Sequence, residues 1–244
     1  GSMAYFNSDV INMIAVLFMF VAGINFALHF TAWQRRSFIQ YLKDPETRFY
    51  TGILGLVAAF TPLVLYFTDT YNAKDSLVHG LFQTVSVATT TGYATANFDS
   101  WPLALPYLLI YSSIIGACAG STGGGMKVIR ILLIIKQGFR EVKRLIHPNA
   151  IISVKLGRDL VPDRIIESVW GFFAVYVLVY LALLIVLLAM DIDVVTAFSA
   201  VGACLNNLGP GLEGVAANYG DLADPAKWVL CLAMLLGRLE IFTL

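Results

Sequence analysis

Long apolar runs alternate with short polar segments along this chain. The runs extend from about Val10 to Thr31, from about Gly52 to Phe67, from about Ile165 to Met190, and from Trp228 to Leu244. A helix that spans a membrane needs about 20 consecutive apolar residues. The pattern therefore predicts membrane-spanning helices, and the last one, 17 residues long and still apolar at its end, is expected to be truncated.

Two shorter apolar segments are each followed by a polar turn. The segment "DSLVHGLFQTVSVA", residues 75 to 88, would cover only about 20 Å as a helix, so it is expected to enter the membrane without crossing it. Asp75 or Ser76 can cap its start. The segment "DVVTAFSAVGACL", residues 193 to 205, repeats the pattern. Both segments are predicted to be half-helices.

The two half-helices belong to an internal repeat. With an offset of 117 residues, Gly92 overlays Gly209 and Ser76 overlays Asp193. Self-similarity at a fixed offset indicates a repeated structural unit. The unit here consists of a span, a half-helix, a polar turn and a second span.

The longest apolar stretch contains a glycine-rich break. It extends from Leu103 to Ile135, about 50 Å as one helix and too long for a hydrocarbon core of about 30 Å. Its centre, "GACAGSTGGG" at residues 116 to 125, has five glycines in ten residues, and each costs nearly 1 kcal/mol against alanine in a helix. Two helical pieces around an irregular loop are predicted. At membrane depth such a loop must be buried in protein or line an aqueous cavity.

Composition agrees with this pattern. Hydrophobic residues make up 58% of the chain and charged residues 13%, and the mean hydropathy is +0.76. These values are typical of an integral membrane protein. The predicted fold class is an all-α integral membrane protein with repeated units of transmembrane helix, re-entrant pore helix, selectivity-filter loop and transmembrane helix. Cys118, Cys204 and Cys231 lack the spacing of metal ligands and are interpreted as small core residues.

Charge is sorted between two faces. The numbers of basic and acidic residues are equal, at 16 each, so net charge gives no reason to expect a nucleic-acid partner. The basic residues concentrate in two connections, which the positive-inside rule places in the cytoplasm: Arg35, Arg36, Lys43, Arg48, Lys127, Arg130, Lys136, Arg140, Lys143, Arg144, Lys155, Arg158 and Arg164. The opposite face carries acidic residues, which would concentrate cations at an outer mouth: Asp9, Asp69, Asp75, Asp99, Asp191, Asp193, Glu213, Asp221 and Asp224.

The two polar turns are candidate ion filters. A half-helix that enters from outside points its negative C-terminal end toward the middle of the membrane, where it favours a cation. Backbone carbonyls beyond that end could replace the water shell of an ion, and glycine permits the torsions that aim them. The candidate filter residues are Thr89, Thr90, Thr91, Gly92, Tyr93, Asn206, Asn207, Leu208 and Gly209, and the carbonyls of Thr90, Thr91, Asn207 and Leu208 are the candidate ion ligands. The alternative is a re-entrant hairpin that only fills a gap between helices.

Two further features point to control of such a pathway. The loop of residues 116 to 125 lacks the Gly-Lys-Ser/Thr of a phosphate-binding loop, because Lys127 follows Met126 and precedes Val128. Arg238 lies about 18 Å along its helix from Ala226, near the bilayer centre, where an arginine is costly and is a functional candidate. It could donate to loop carbonyls and form an electrostatic barrier. The alternatives are a glycine kink for close helix packing and an ion pair of Arg238 with Glu240 or another buried acidic residue.

The segments "TVSVATTTGYATANFDSWP", "GACAGSTGGGMKVIRILLIIKQGFREVKRLIHPNA" and "GACLNNLGPGLEGVAANYGDL" resemble the TrkH-type potassium-transport subunits of the Trk/Ktr/HKT superfamily. The resemblance covers essentially the whole chain. It implies four pore-loop repeats around one ion pathway, of which residues 52–136 and 165–244 are the third and fourth. Residues 1–51 would hold the last helix of the second repeat and a linker, and residues 137–164 a basic cytoplasmic linker.

The resemblance also implies residue roles and partners. It assigns a gate to the glycine-rich loop and the arginine: Gly116, Gly120, Ser121, Thr122, Gly123, Gly124, Gly125, Lys127 and Arg238. It implies potassium as the substrate, no cofactor in this chain, and a cytosolic nucleotide-binding regulatory ring. A missing first half or a second copy would complete the pore, a homodimer would form when the chain is complete, and the bacterial inner membrane would hold the filter on its periplasmic side.

Three functional classes remain open at this stage. A potassium channel or transporter is the first, and a non-conducting fragment of one is a variant of it. A secondary transporter that binds another solute at broken helices is the second. An enzyme is the third, but these segments contain no convergent acid, base or nucleophile set, so no catalytic residue is predicted.

Overall fold

The computed structural model describes residues 2–102, 104–150, 152–157 and 159–239. Its described part is built from helices, with one two-stranded hairpin and three short 3-10 helices at Met3–Phe6, Phe98–Ser100 and Glu213–Val215. The α-helices are α1 Asp9–Ala22, α2 Phe26–Gln34, α3 Ile39–Lys43, α4 Pro45–Phe67, α5 Ala73–Ala88, α6 Leu105–Ile115, α7 Val128–Ile146, α8 Asp163–Leu188, α9 Val194–Leu205 and α10 Asp224–Arg238. The strands are β1 Lys155–Leu156 and β2 Asp159–Leu160, paired antiparallel. The predicted all-α class is confirmed.

Two helices in the described part of the chain are long and apolar enough to cross a membrane. They are α4, with 23 residues, and α8, with 26. The pair α1 and α2 meets the same test only if the two are counted together, and they are bent by 92° at a short break. The predicted span from about Val10 to Thr31 is therefore not one straight helix, and the bent pair is either a broken span or a re-entrant segment.

The break between α1 and α2 has a tertiary cause. The side chain of Asn25 caps α2 by accepting a hydrogen bond of 2.8 Å from the amide of Ala27. The next amide, of Phe26, donates to the carbonyl of Gly120 at 3.0 Å. Because a distant segment satisfies the backbone groups of the break, hydropathy along the sequence does not reveal it.

The two half-helices, α5 and α9, are present as predicted, but their starts differ. Asn72 caps α5 by accepting from the amide of Asp75 at 2.9 Å, so the prediction of Asp75 or Ser76 as the cap is wrong. Asp193 caps α9, as predicted, by accepting from the amide of Thr196 at 2.8 Å. With 16 residues against 12, α5 is about one turn longer. The repeat offset therefore aligns the C-terminal ends and not the caps.

The long apolar stretch is broken at its glycines, as predicted. The helix α6 ends at Ile115 and α7 begins at Val128, with an irregular loop between them. The second helix continues to Ile146, so the first part of the basic connection is helical, and the β1–β2 hairpin forms another part. Arg158 and residues 240–244, which include Glu240 and the end of the predicted last helix, lie outside the described residues.

The half-helices carry the polar turns into the interior. The helix α5 packs against α4, α1 and α6, whereas α9 packs against α10, α8 and α6. Residues 82–90 and 199–206 are all buried. Cys118 and Cys204 are buried, as predicted, but Cys231 is exposed, because it lies on a face of α10 that no described element covers.

Candidate functional site

The two polar turns follow the same backbone path. The amide of Thr91 donates to the carbonyl of Ser86 at 2.8 Å, and at the matching position the amide of Leu208 donates to Ala203 at 2.8 Å. The middle residues also match, since Thr90 has φ 55° and Asn207 has φ 54°. The sequences differ at these positions, TTTGY against NNLGP. The two turns therefore share a backbone path although the glycine is the one residue type that they have in common at matching positions.

Several carbonyls in these turns have no donor. Within the described part of the chain, the carbonyl oxygens of Thr90, Thr91, Asn207 and Leu208 accept no hydrogen bond, and the same holds for Thr89, Gly92 and Asn206. The first four are the carbonyls that the sequence marks as candidate ion ligands, and Thr90 and Leu208 are buried whereas Thr91 is exposed.

Carbonyls just beyond these positions are held by side chains. The hydroxyl of Ser86 donates to the carbonyl of Tyr93 at 2.6 Å, and the hydroxyl of Tyr219 donates to the carbonyl of Gly209 at 2.6 Å. Ser86 lies within the half-helix α5, whereas Tyr219 lies in a loop ten residues after Gly209. Sequence reasoning missed both Ser86 and Tyr219, because nothing in their local pattern shows which carbonyl they reach.

The two turns lie against each other. Gly92 has φ 77°, and a Cβ added to it would overlap the carbonyl oxygen of Leu208. At the matching Gly209, φ is 108° and no heavy atom lies within 4 Å of the Cβ position. Both turns line one cleft of about 760 Å³. The glycine of the first turn is therefore required by contact as well as by torsion, and that of the second by torsion alone.

Asn206 is built into the base of the second turn. Its residue is fully buried, its Oδ1 accepts from the hydroxyl of Tyr176 at 2.9 Å, and its Nδ2 donates to Oγ of Ser113 at 3.4 Å. These partners lie on α8 and α6. The matching Thr89 instead bonds locally, donating to the carbonyl of Val85 at 2.7 Å and contacting Oγ1 of Thr91 at 2.8 Å. The side chain of Asn206 therefore anchors the second turn to α8 and α6, and the side chain of Thr89 anchors the first turn to its own half-helix.

Three acidic residues gather near the start of α9. The amide of Glu213 donates to Asp99 Oδ1 at 2.8 Å, which joins the segments that follow the first and second turns. The amide of Thr196 holds the pKa of Asp193 below its usual value. Desolvation, and then the carboxylates of Asp193 and Asp99, raise the pKa of Glu213. This part of the predicted acidic face is therefore a set of interacting carboxylates.

The glycine-rich loop is in direct contact with both turns. The amide of Gly124 donates to Oγ1 of Thr90 at 2.6 Å, and a Cβ on Gly124 would overlap the carbonyl oxygen of Asn206. A Cβ on Gly123 would lie 3.0 Å from the carbonyl oxygen of Thr89. Buried Lys127 donates from Nζ to the carbonyl of Gly123. The predicted gate loop is thus in direct contact with both turns of the predicted filter.

Arg238 lies beside the same loop. It is an exposed residue at the end of α10, and it lines a cavity of about 180 Å³ with Ser121, Thr122, Gly123, Gly124, Gly125, Lys127, Asn207 and Gly237. The predicted hydrogen bonds from Arg238 to loop carbonyls are absent among the described residues. The alternative ion pair with Glu240 involves a residue outside the described part. Arg238 and the loop therefore line the same cavity, with no hydrogen bond between them among the described residues.

The remaining predicted gate residues belong to the first part of the loop. Gly116 directly follows α6, and a Cβ on it would overlap the carbonyl oxygen of Gly124, so the loop folds back on itself. Gly120, Ser121 and Thr122 lie toward the break between α1 and α2.

Comparison with known proteins gives a consistent result. The family model described as "TrkH: Cation transport protein" matches residues 1–244. The "Trk system potassium uptake protein TrkH" of Halomonas elongata is 51% identical over 243 residues, which cover 100% of this chain and 50% of that protein. The protein of the same name from Escherichia coli K12 is 49% identical over 245 residues, covering 100% of this chain and 51% of that protein.

A solved structure is also similar. The crystal structure of the potassium transporter TrkH from Vibrio parahaemolyticus matches with a TM-score of 0.94 and 51% identity, over 99% of this chain and 52% of that one. The chain spans about half the length of the curated relatives it matches.

Proposed function

Because the chain belongs to the TrkH family of cation transport proteins, we propose that it forms half of a potassium-uptake pathway. Residues 52–136 and 165–244 would be two of four pore-loop repeats, with residues 1–51 and 137–164 as the preceding helix and linkers. Relatives that are about half identical are named as potassium uptake proteins, and this chain covers half of their length. The other half, or a second copy, would complete the pathway.

The single observation that carries the proposal is the pair of matched turns. They lie side by side and take the same backbone path, and their carbonyls at equivalent positions, among them the four candidate ligands, have no donor in the described part of the chain. Each turn follows the C-terminal end of a half-helix, where the helix dipole favours a cation. Carbonyl oxygens in such an array replace the hydration shell of a potassium ion. Thr90, Thr91, Asn207 and Leu208 are the proposed ligands.

The glycine-rich loop and Arg238 are the proposed gate. The loop contacts both turns through Gly123 and Gly124, so an ion that leaves the turns on that side meets it. Lys127 and Arg238 place two positive side chains around the adjoining cavity of about 180 Å³. Like charges in a confined, low-dielectric space repel a passing cation. Flux would then require the loop and the arginine to move aside.

A secondary transporter is the second candidate. Two of the apolar helices are interrupted, between α1 and α2 and between α6 and α7. Interrupted helices form substrate and ion sites in many secondary transporters. This candidate predicts saturable uptake of another solute coupled to an ion, with no single-channel current.

The proposal extends to location and partners. We propose that the chain lies in the inner membrane of a bacterium, with the filter side periplasmic and the basic connections cytoplasmic. A cytosolic nucleotide-binding subunit would regulate it, and the complete protein would be a homodimer. The relatives are transport proteins, and the proposed role is transport and not catalysis.

The test uses a protein with all four repeats, in which this chain is joined to the first half of the Halomonas elongata relative. It is reconstituted in liposomes with a potassium gradient, and flux of potassium, sodium and protons is recorded together with single-channel current. Potassium-selective flux supports the proposal. Folded protein that carries no potassium, or potassium flux that depends on a second solute, overturns it.

A further inference from the structure

The far part of the glycine-rich loop is tied to the break between α1 and α2. Four hydrogen bonds join them, and each segment both donates and accepts. They run from the amide of Cys118 to the carbonyl of Gly23 at 3.0 Å, from the amide of Phe26 to Gly120 at 3.0 Å, and from the amide and Oγ1 of Thr122 to Ala22 at 3.4 and 3.3 Å. The partners are about 100 residues apart in sequence. The break therefore acts as a backbone docking site for residues 118–122.

The start of α4 braces the same part of the loop. Glu46, in the first turn of α4, is 7% exposed, and its Oε1 accepts a hydrogen bond of 2.7 Å from the amide of Ala119. One turn further on, Tyr50 donates to the carbonyl of Phe20 at 3.1 Å. Residues four apart lie on the same helix face. One face of α4 thus holds both the loop and the end of α1.

The near part of the loop has a different environment. Gly123, Gly124 and Gly125 have no side chains, and they lie between the polar turns and the cavity of about 180 Å³. They contact the turns through the hydrogen bond from Gly124 to Oγ1 of Thr90 and through close approach to the carbonyl oxygens of Thr89 and Asn206. Ser121 and Thr122 line the same cavity, but residues 118–122 are held by backbone hydrogen bonds to the break. In the described part of the chain, residues 123–125 make no hydrogen bond to the break, and they can move only if they leave their close contacts with the turns.

We propose that the loop is divided into a fixed half, residues 118–122, and a movable half, residues 123–125, and that Glu46 is the positioning residue that holds the fixed half. Its consequence for ion flux rests on the proposed function, but the docking of the loop does not. A buried carboxylate oxygen that accepts from a backbone amide gives a directional contact. Opening would displace residues 123–125 while Ala119 stays on Glu46.

Cys118 provides a readout of the fixed half that is independent of conduction. Its side chain is fully buried and it belongs to the docked segment. The four-repeat protein is treated with N-ethylmaleimide in resting and in conducting conditions. Mass spectrometry of the peptide that contains Cys118 then gives the extent of reaction against a denatured sample. Protection of Cys118 in both conditions is expected, and reaction only in conducting conditions would show that the fixed half moves and overturn the proposal.

Variants at Glu46 test the positioning role. Glu46→Ala removes the acceptor and Glu46→Asp shortens it by one methylene, so both should speed the reaction of Cys118 at least tenfold and raise resting potassium flux. Glu46→Gln keeps an oxygen that can accept from Ala119, so it should behave as the parent protein does. Arg48→Ala, an exposed position on the same turn, is the matched control.

The outcomes separate the two proposals. If the parent protein carries no potassium, the proposed function fails, and the labelling of Cys118 still tests the docking. If Cys118 stays protected in folded Glu46→Asp, or reacts equally fast in Glu46→Gln and Glu46→Asp, the positioning role of Glu46 is overturned. Thermal unfolding midpoints establish which variants are folded, and the Gln and Asp pair provides the comparison if Glu46→Ala does not fold.

Discussion

The amide of Gly124 donates a hydrogen bond of 2.6 Å to Oγ1 of Thr90, which joins the glycine-rich loop to the first polar turn across 34 positions of sequence. The same glycine lies so close to the second turn that a Cβ would overlap the carbonyl oxygen of Asn206. One residue of the loop therefore contacts both turns. A movement of the loop at Gly124 is therefore expected to shift both turns, and a movement of either turn is expected to shift the loop.

Gly124→Ala should be among the most damaging single-methyl additions in the chain. The new Cβ has no space beside the carbonyl of Asn206, and overpacking of this kind costs about 1–3 kcal/mol. We expect a lower thermal midpoint and altered potassium flux in the four-repeat protein. Gly138→Ala is the matched control, because no heavy atom lies within 4 Å of its Cβ position. Equal behaviour of the two variants would contradict the contact.

The two turn glycines should differ in their response to substitution. Gly92→Ala meets both a left-handed torsion and the carbonyl of Leu208, whereas Gly209→Ala meets only the torsion. Strain of this kind costs of order 1–3 kcal/mol, so Gly92→Ala should lose more flux than Gly209→Ala. Gly92→Asp should abolish or reshape potassium flux. Potassium and sodium flux assays measure the loss of flux and the selectivity of each variant. Unchanged selectivity in Gly92→Asp would contradict the assignment of Gly92 to the filter.

Tyr219→Phe should weaken the anchoring of the second turn while the aromatic ring keeps its packing. It removes the hydroxyl that donates to the carbonyl of Gly209, a hydrogen bond with a net contribution of about 0.5–1.5 kcal/mol. We expect a lower ratio of potassium to sodium flux, because the carbonyl is then free to reorient. The hydroxyl of Tyr107 makes no hydrogen bond among the described residues, so Tyr107→Phe should leave the ratio unchanged. The same ratio in both variants would argue against this role of Tyr219.

Arg238→Ala should raise potassium flux at rest. The side chain lines the cavity beside Gly124 and Lys127, and its removal takes one positive charge from the exit of the turns. Arg238→Lys keeps the charge and should stay near the parent level. Stopped-flow flux in liposomes compares the three proteins. Reduced flux in a folded Arg238→Ala protein would contradict the barrier.

Several features were predictable because they depend on local sequence. The break between α6 and α7 follows from five glycines in ten residues and from a stretch too long for one span. The half-helices follow from their length, and the cap at Asp193 from its side chain. The cap of α5 was predicted wrongly. Asn72, Asp75 and Ser76 are all good capping residues, and the tie of Ser76 to the carbonyl of Tyr71 at 3.1 Å forms only in the folded chain.

The break between α1 and α2 was not predictable in the same way. The sequence from Val10 to Thr31 is largely apolar, and Gly23 and Asn25 give only a weak local sign of a break. The helix ends there because Gly23, Phe26 and Ala22 exchange hydrogen bonds with a loop about 100 residues away. Glu46 escaped notice for the same reason. A charged residue at the start of a helix is usually solvated, and only the fold buries it against Ala119.

The sequence by itself determined that this is a helical membrane protein with two polar, glycine-containing turns at matched positions and one glycine-rich interruption. Length, apolar content and the backbone freedom of glycine act over a few residues, so they can be read along the chain. Only the tertiary structure decided that Gly92 lies against Leu208, that Gly124 touches both turns, and that Glu46 holds Ala119. Hydrogen bonds and steric contacts between distant segments depend on how the helices pack, and no local pattern specifies them.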